Sequence, residues 1–203
     1  MKILIRGKSP QRVLRWTERM LFGAAFVLLG YGGFVLADTW IFQRQESAAL
    51  ERFVPEQSPE KNAESVAASA IGPDGLIGRL ELPRLSVSVI VAEGTTSKVL
   101  RHAVGHIAGT ALPGQAGNIG IAGHRDSFFR PLRNIQQEDV IELTTARGIY
   151  RYRVVSTKVV KPEDTAVLDS DGREILTLVT CYPFYFVGSA PERFIVRAER
   201  VAI

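Results

Sequence analysis

The sequence predicts an all-β domain, a barrel or sandwich of seven or eight short strands, carried behind one N-terminal membrane-spanning helix. Three observations lead there: an apolar run from Met20 to Phe42, a polar tract from Gln43 to about Gly75, and a succession of strand-like runs broken by turn residues from Leu76 onward. The 203 residues leave room for one domain of ordinary size plus appendages, and a hydrophobic content of 46% is that of a globular chain.

Met20 to Phe42 is a stretch of 23 residues whose only charge is Asp38, close to its far end. At about 1.5 Å per residue, such a helix crosses a hydrocarbon core of roughly 30 Å with some tilt to spare. Gly30, Gly32 and Gly33 are tolerated in lipid, and Trp16 and Trp40 fall where interfacial anchors belong. Lys2, Arg6, Lys8, Arg12, Arg15 and Arg19 all precede the run, so the positive-inside rule keeps residues 1–19 in the cytoplasm and sends the rest across. A cleaved signal peptide is the competing reading, with Val35 and Ala37 small enough for a cleavage site, but the apolar run exceeds a signal peptide's core. A buried soluble helix would need a polar face, which this one lacks.

Charge excludes another class. Of the net +4, all lies in residues 1–42, which hold six Lys/Arg against two Asp/Glu, while the remainder carries 19 of each. The pI near 9.4 therefore describes the anchor, and the exported part has no net field to hold phosphates, so nucleic acid is not a partner. The chain has one cysteine, Cys181, and an exported protein with a single thiol forms no internal disulfide. That thiol is buried and inert, joined to another molecule, or chemically active.

Residues 43–75, rich in Glu, Gln, Ala, Ser and Pro, read as a linker whose first part, through Phe53, can continue as helix before Pro55 and Pro59. Beyond it come "LIGRLELP", "VSVIVAEG", "GNIGIAGH", "DVIELTTA", "GIYRYRVVSTKVVK", "EILTLVTC" and "RFIVRAERVAI". In the fifth run Ile149, Tyr152 and Val154 break parity, leaving its register open. One short helix is expected at about Thr96 to Val104, capped by Thr95 or Thr96, and "LPGQAGN" supplies a turn before the next strand.

A thiol nucleophile needs an acid/base nearby, and imidazole suits that role near neutral pH. Only His102, His106 and His124 are available. The first two lie four apart and, with His124 and Cys181, could ligate zinc, but glycines interrupt the helix around them and no zincin pattern is present. His102 reads as a solvated helix residue and His106 as a structural or site-rim residue. His124 instead follows the apolar strand "NIGIAG" and opens the polar segment "HRDSFFRPL", a strand-end placement that can present it to a cleft, or make "GHRD" a hydrogen-bonded turn. Cys181 also ends a strand, before Pro183, and Arg193 begins the next one. If those two strands are antiparallel neighbours, thiol and guanidinium share one edge of the sheet, where a fixed cation can stabilise an oxyanion. The bland alternative for Arg193 is a surface salt bridge to Glu192 or Glu199.

"AGHR" ending one strand, "TLVTC" ending a later one and an arginine opening the last resemble the sortases, membrane-anchored cysteine transpeptidases of bacterial surfaces. The likeness covers Leu76 to Ile203, and "TCYPF…GSAPERF" is most similar to class D. It implies a closed β-barrel of about eight strands with short helices over residues 76–203. It also implies Cys181 as nucleophile, His124 as general acid/base, Arg193 as electrostatic stabiliser, and Thr180 as a residue shaping the substrate and oxyanion pocket. The implied substrates are exported proteins bearing an LPXTG/LPXTA-like sorting signal, the acceptor is an amine of a cell-wall precursor or peptidoglycan, and no cofactor is needed, while the sequence offers no basis for assigning a calcium or other metal site. No further apolar span follows and no lid segment precedes the barrel, which favours protein anchoring over pilin polymerisation. Two rivals stand: a cysteine endopeptidase hydrolysing the same motif, and a non-enzymatic membrane-tethered β-domain binding a ligand or metal.

Overall fold

A computed structural model describes residues 10–53, 71–72, 75–185 and 188–201. The chain divides into two compact units, Met1–Ile41 and Phe42–Ile203. The described residues of the first unit belong to α1, Pro10–Phe53, a helix of 44 residues. Its described large apolar side chains, among them Met20, Phe22, Phe26, Leu29 and Phe34, are exposed. Among the described residues no helix is long and apolar enough to cross a membrane. The run expected to do so is described continuously only from Met20 to Phe34; most side chains from Val35 to Phe42 lie outside the described residues, as do the linker residues 54–70.

The second unit holds eight strands: β1 Leu76–Leu82, β2 Val87–Glu93, β3 Val104–His106, β4 Gly117–Ala122, β5 Val140–Thr145, β6 Gly148–Val160, β7 Glu174–Tyr182 and β8 Glu192–Arg200. They close into a barrel in the order β1-β2-β3-β4-β7-β8-β6-β5. Closure removes the free edges that an open sheet would have to protect. All neighbours are antiparallel except β2 with β3 and β4 with β7. Inward-facing residues at every second position fill the interior: Ile119 and Ile121 of β4, Ile141 and Leu143 of β5, Leu176 and Leu178 of β7, Val196 and Ala198 of β8. Each such side chain stabilises the fold by about 1.5–3 kcal/mol relative to exposure.

Three details differ from the sequence reading. The short helix α2, Ser97–His102, is capped by Thr96, whose Oγ1 accepts from Val99 N at 3.4 Å. It stops before Val104, because Ala103 is extended (φ −144°, ψ 176°) and leads into β3. His102, expected in solvent, is half-buried at the last residue of α2. In β6, Tyr152 and Val154 point inward while Ile149, beside the hairpin at Gly148, points out, which resolves the broken parity.

Two polar locks brace the barrel. Arg84 reaches the Asp139 carboxylate through Nε and Nη2, and Nη2 also donates to Asn134 O at 2.6 Å. Gln136 N adds a bond to Asp139 Oδ2 at 2.8 Å. The guanidinium hydrogen bond holds the Asp139 carboxyl below the ordinary carboxylate range against the opposing effect of burial. On the outer face of β4 and β7, Thr177 Oγ1 donates to Asn118 Oδ1 at 2.7 Å. Asn118 Nδ2 in turn donates to Val167 O at 3.1 Å and Asp169 O at 3.3 Å, tying the β6–β7 connection across that face.

Candidate active site

Cys181 and Arg193 are direct cross-strand partners near the ends of β7 and β8. Opposed residues of an antiparallel pair lie about 4.5–5.5 Å apart at Cα and project to the same face. Thr180 is buried and its partner Phe194 packs against the core, so Cys181 and Arg193 take the outer face. The thiol is free and partly exposed. Arg193 makes no ion pair among the described residues; the salt bridge to Glu192 or Glu199 does not form, and Glu199 instead pairs with Arg173 at 2.7 Å. Its Nη1 donates to Ala190 O at 3.2 Å and Glu192 O at 2.9 Å. Nε and Nη2 have no partner among the described residues, and a ligand oxygen can take them.

His124 reaches the same place from the neighbouring strand. β4 runs parallel to β7 with Ala122 opposite Val179. Past the end of β4 the alignment continues: Gly123 N donates to Val179 O at 3.1 Å, and Thr180 Oγ1 donates to Gly123 O at 2.8 Å. Two residues beyond the last paired position, His124 stands level with Cys181. Its backbone is fixed by a turn in which Ser127 N and Phe129 N donate to His124 O at 3.3 and 3.2 Å, while its side chain is exposed. The turn folds the fully buried Phe129 ring beneath Gly123, where a Cβ would come within 2.7 Å of the ring, so only glycine admits this close approach.

Thr180 itself is 2% exposed. With its hydroxyl on Gly123 O, it contributes by placing the residue before His124. Arg125 is a site residue that nothing in the sequence marks. This guanidinium is 6% exposed, and it donates from Nη1 to Pro183 O at 2.9 Å and from Nη2 to Gly188 O at 3.1 Å, on the far side of Cys181. Below the site Tyr182, Phe184 and Phe194 pack together, with ring centroids 5.3–6.2 Å apart.

His106 is committed elsewhere. His106 is 3% exposed, with Nδ1 2.7 Å from Glu93 Oε2 and Nε2 3.0 Å from both Ala111 O and Thr110 Oγ1. Both ring nitrogens are engaged by protein oxygens, as in a structural core histidine. Among the described residues no group of three His, Cys, Asp or Glu side chains could hold a metal.

A sortase-domain family model matches residues 80–201. Sortase D of Bacillus subtilis (strain 168) is 34% identical over 189 residues, which cover 89% of this chain and 96% of that protein. Sortase A of Listeria monocytogenes is 28% identical over 145 residues, covering 70% of this chain and 65% of that protein. Among solved structures, a Clostridium perfringens Sortase D5 transpeptidase superposes with a TM-score of 0.58 at 34% identity, covering 64% of this chain and 80% of that one. Sortase C1 from Streptococcus agalactiae gives 0.61 at 30% identity over 68% and 73% of the two chains. With the closed barrel and the length of these matches, the chain belongs to the sortase family, the cysteine transpeptidases.

Proposed function

We propose that this sortase cleaves a Leu-Pro-any-Thr signal followed by Gly or Ala (LPXTG/LPXTA-like) on exported proteins and transfers the new carboxyl end to an amine of the cell envelope. The pairing of Cys181 with Arg193 beside the pinned His124 turn supports this reading most directly. Cys181 Sγ attacks the threonine carbonyl carbon, and negative charge gathers on the oxygen, where Arg193 Nε and Nη2 can receive it. As the C–N bond breaks, His124 delivers the proton that left the thiol to the departing amine, leaving a thioester. An incoming amine then attacks the thioester carbonyl and gives a proton to His124, the C–S bond breaks, and the departing Cys181 Sγ takes that proton back. Bonds balance as one amide exchanged for another, so the reaction needs no oxidant or reductant. Thr180 shapes the pocket through Gly123.

In the same proposal residues 1–19 are cytoplasmic, 20–42 anchor the chain by a single pass, 43–75 form a linker and 76–203 work outside the membrane. The basic cluster before Met20 and the exposed apolar side chains of α1 support it. Sortases are enzymes of the cell envelope, and a peptidoglycan precursor supplies an amine of the required kind.

The test incubates the full chain in mild detergent with a panel of signal peptides and an amine, reading protein and products by intact mass. An acyl adduct on Cys181 together with amine-ligated peptide is the expected result. Cleavage without ligation under any amine would make the protein an endopeptidase, and no adduct with any peptide would return the binding-domain reading.

A further inference from the structure

Arg125 is a residue whose burial the fold does not explain. A guanidinium at 6% exposure has left water, which costs several kcal/mol unless good partners replace the solvent. The nearby carboxylate, Asp126 Oδ2, is 3.4 Å from Nε and itself 72% exposed, a weak compensation. The better partners are the neutral carbonyls of Pro183 and Gly188, each taken by a different terminal nitrogen. An apolar side chain would fill this place at lower electrostatic cost, so the arginine is there for what its fork grips.

What it grips lies immediately beyond the nucleophile. The residue before His124, Gly123, is held by the residue before Cys181, Thr180. The residue after His124, Arg125, holds the residue two after Cys181, Pro183, and then Gly188 as well. The imidazole and the thiol are thereby bracketed, with one tether on each side running between the two chain segments that carry them. The β4–β7 ladder does not do this, because its regular pairing ends at Ala122 and Val179, before either residue.

We infer that Arg125 is a positioning residue that sets the His124-to-Cys181 geometry by clasping the carbonyls of Pro183 and Gly188. The inference rests on the thioester reading above. Its guanidinium nitrogens serve the protein's own oxygens, so it acts on the reaction through His124 and Cys181 and not by touching substrate. Because a misplacement of about 1 Å can cost about 100-fold in rate, losing one of two tethers falls on turnover more than on substrate affinity. Lysine cannot replace the clasp, since its one ammonium nitrogen does not span two acceptors reached by separate guanidinium nitrogens.

The experiment compares full-length wild type, Arg125→Ala and Arg125→Lys in detergent. Folded protein is counted from the amplitude of its cooperative thermal unfolding transition, and kcat and KM for signal-peptide cleavage are normalised to that count. Arg125→Ala is expected to lose about 100-fold in kcat per counted site with KM within about threefold, and Arg125→Lys to stay at least about tenfold below wild type. A purely structural arginine would lower the amount of folded protein and leave kcat per folded site within about threefold of wild type in either variant, which overturns the inference. If Arg125→Ala yields no folded protein, Arg125→Lys decides by the same criterion. Wild type that forms no acyl adduct sinks the underlying reading, whereas wild type that acylates beside unaffected variants sinks the inference alone.

Discussion

His106 and His124 are carried by neighbouring antiparallel strands, β3 and β4, and have opposite fates. His106 ends β3 inside the protein, with a carboxylate on one ring nitrogen and a hydroxyl and carbonyl on the other. His124 lies past the end of β4, its backbone held by a turn and its ring exposed. The contrast separates two uses of rigidity. Around His106 the hydrogen bonds go to the side chain and consume it; around His124 they go to the backbone and leave the side chain available. A histidine that can do chemistry is one whose neighbours are fixed while its own nitrogens stay uncommitted.

The sharpest way to break this contrast is His124→Ala. Losing a general acid/base is expected to lower acylation of Cys181 by about 1,000-fold, with the thermal midpoint of the full chain in detergent unchanged. Arg193→Ala comes next, at about 100-fold or more in kcat, since it removes the cation beside the developing oxyanion. It is read from steady-state cleavage, and an effect confined to KM would contradict the assigned role. His106→Ala should invert the pattern: about 2 kcal/mol of stability lost, because Glu93 and Ala111 O lose a buried partner, but kcat per folded site close to wild type.

The smallest effect tests a distant lock and serves as a control on stability. Hydrogen bonding from Arg84 depresses Asp139 in the folded protein, so the pair stabilises fully above about pH 4, the unfolded carboxyl's range, and that contribution is lost as pH falls through the lower folded-state value. Thermal midpoints of Asp139→Asn should therefore lie below wild type near neutral pH and converge on it in acid. A gap that is constant with pH would show that the carboxylate's charge is not what matters.

Much of the candidate site was legible because its residues sit at punctuation marks. Cys181 stops a strand before Pro183 and Arg193 opens the next, so a single assumption of antiparallel neighbours put them side by side, as the β7–β8 register has them. His124 was visible for the same reason, at the polar end of an apolar run. The seven long runs gave seven strands, but β3, at three residues, is too short to show a period. The parallel pairing of β4 with β7 was invisible, since it depends on a partner 57 residues away in sequence. Arg125 was hidden because arginine is ordinarily exposed, and nothing local signals that this one turns inward to two backbone carbonyls. His106 could be read as structural or as a rim residue, and only the Glu93 contact decides between them.

One measurement bears most directly on the account: the single-turnover rate at which a signal peptide acylates Cys181, followed by intact mass in wild type, His124→Ala and His106→Ala. Expected are a Cys181 thioester in wild type, a rate about 1,000-fold lower without His124, and a rate per folded site within about threefold of wild type without His106. Equal losses in the two histidine variants, or an adduct anywhere but Cys181, would contradict it.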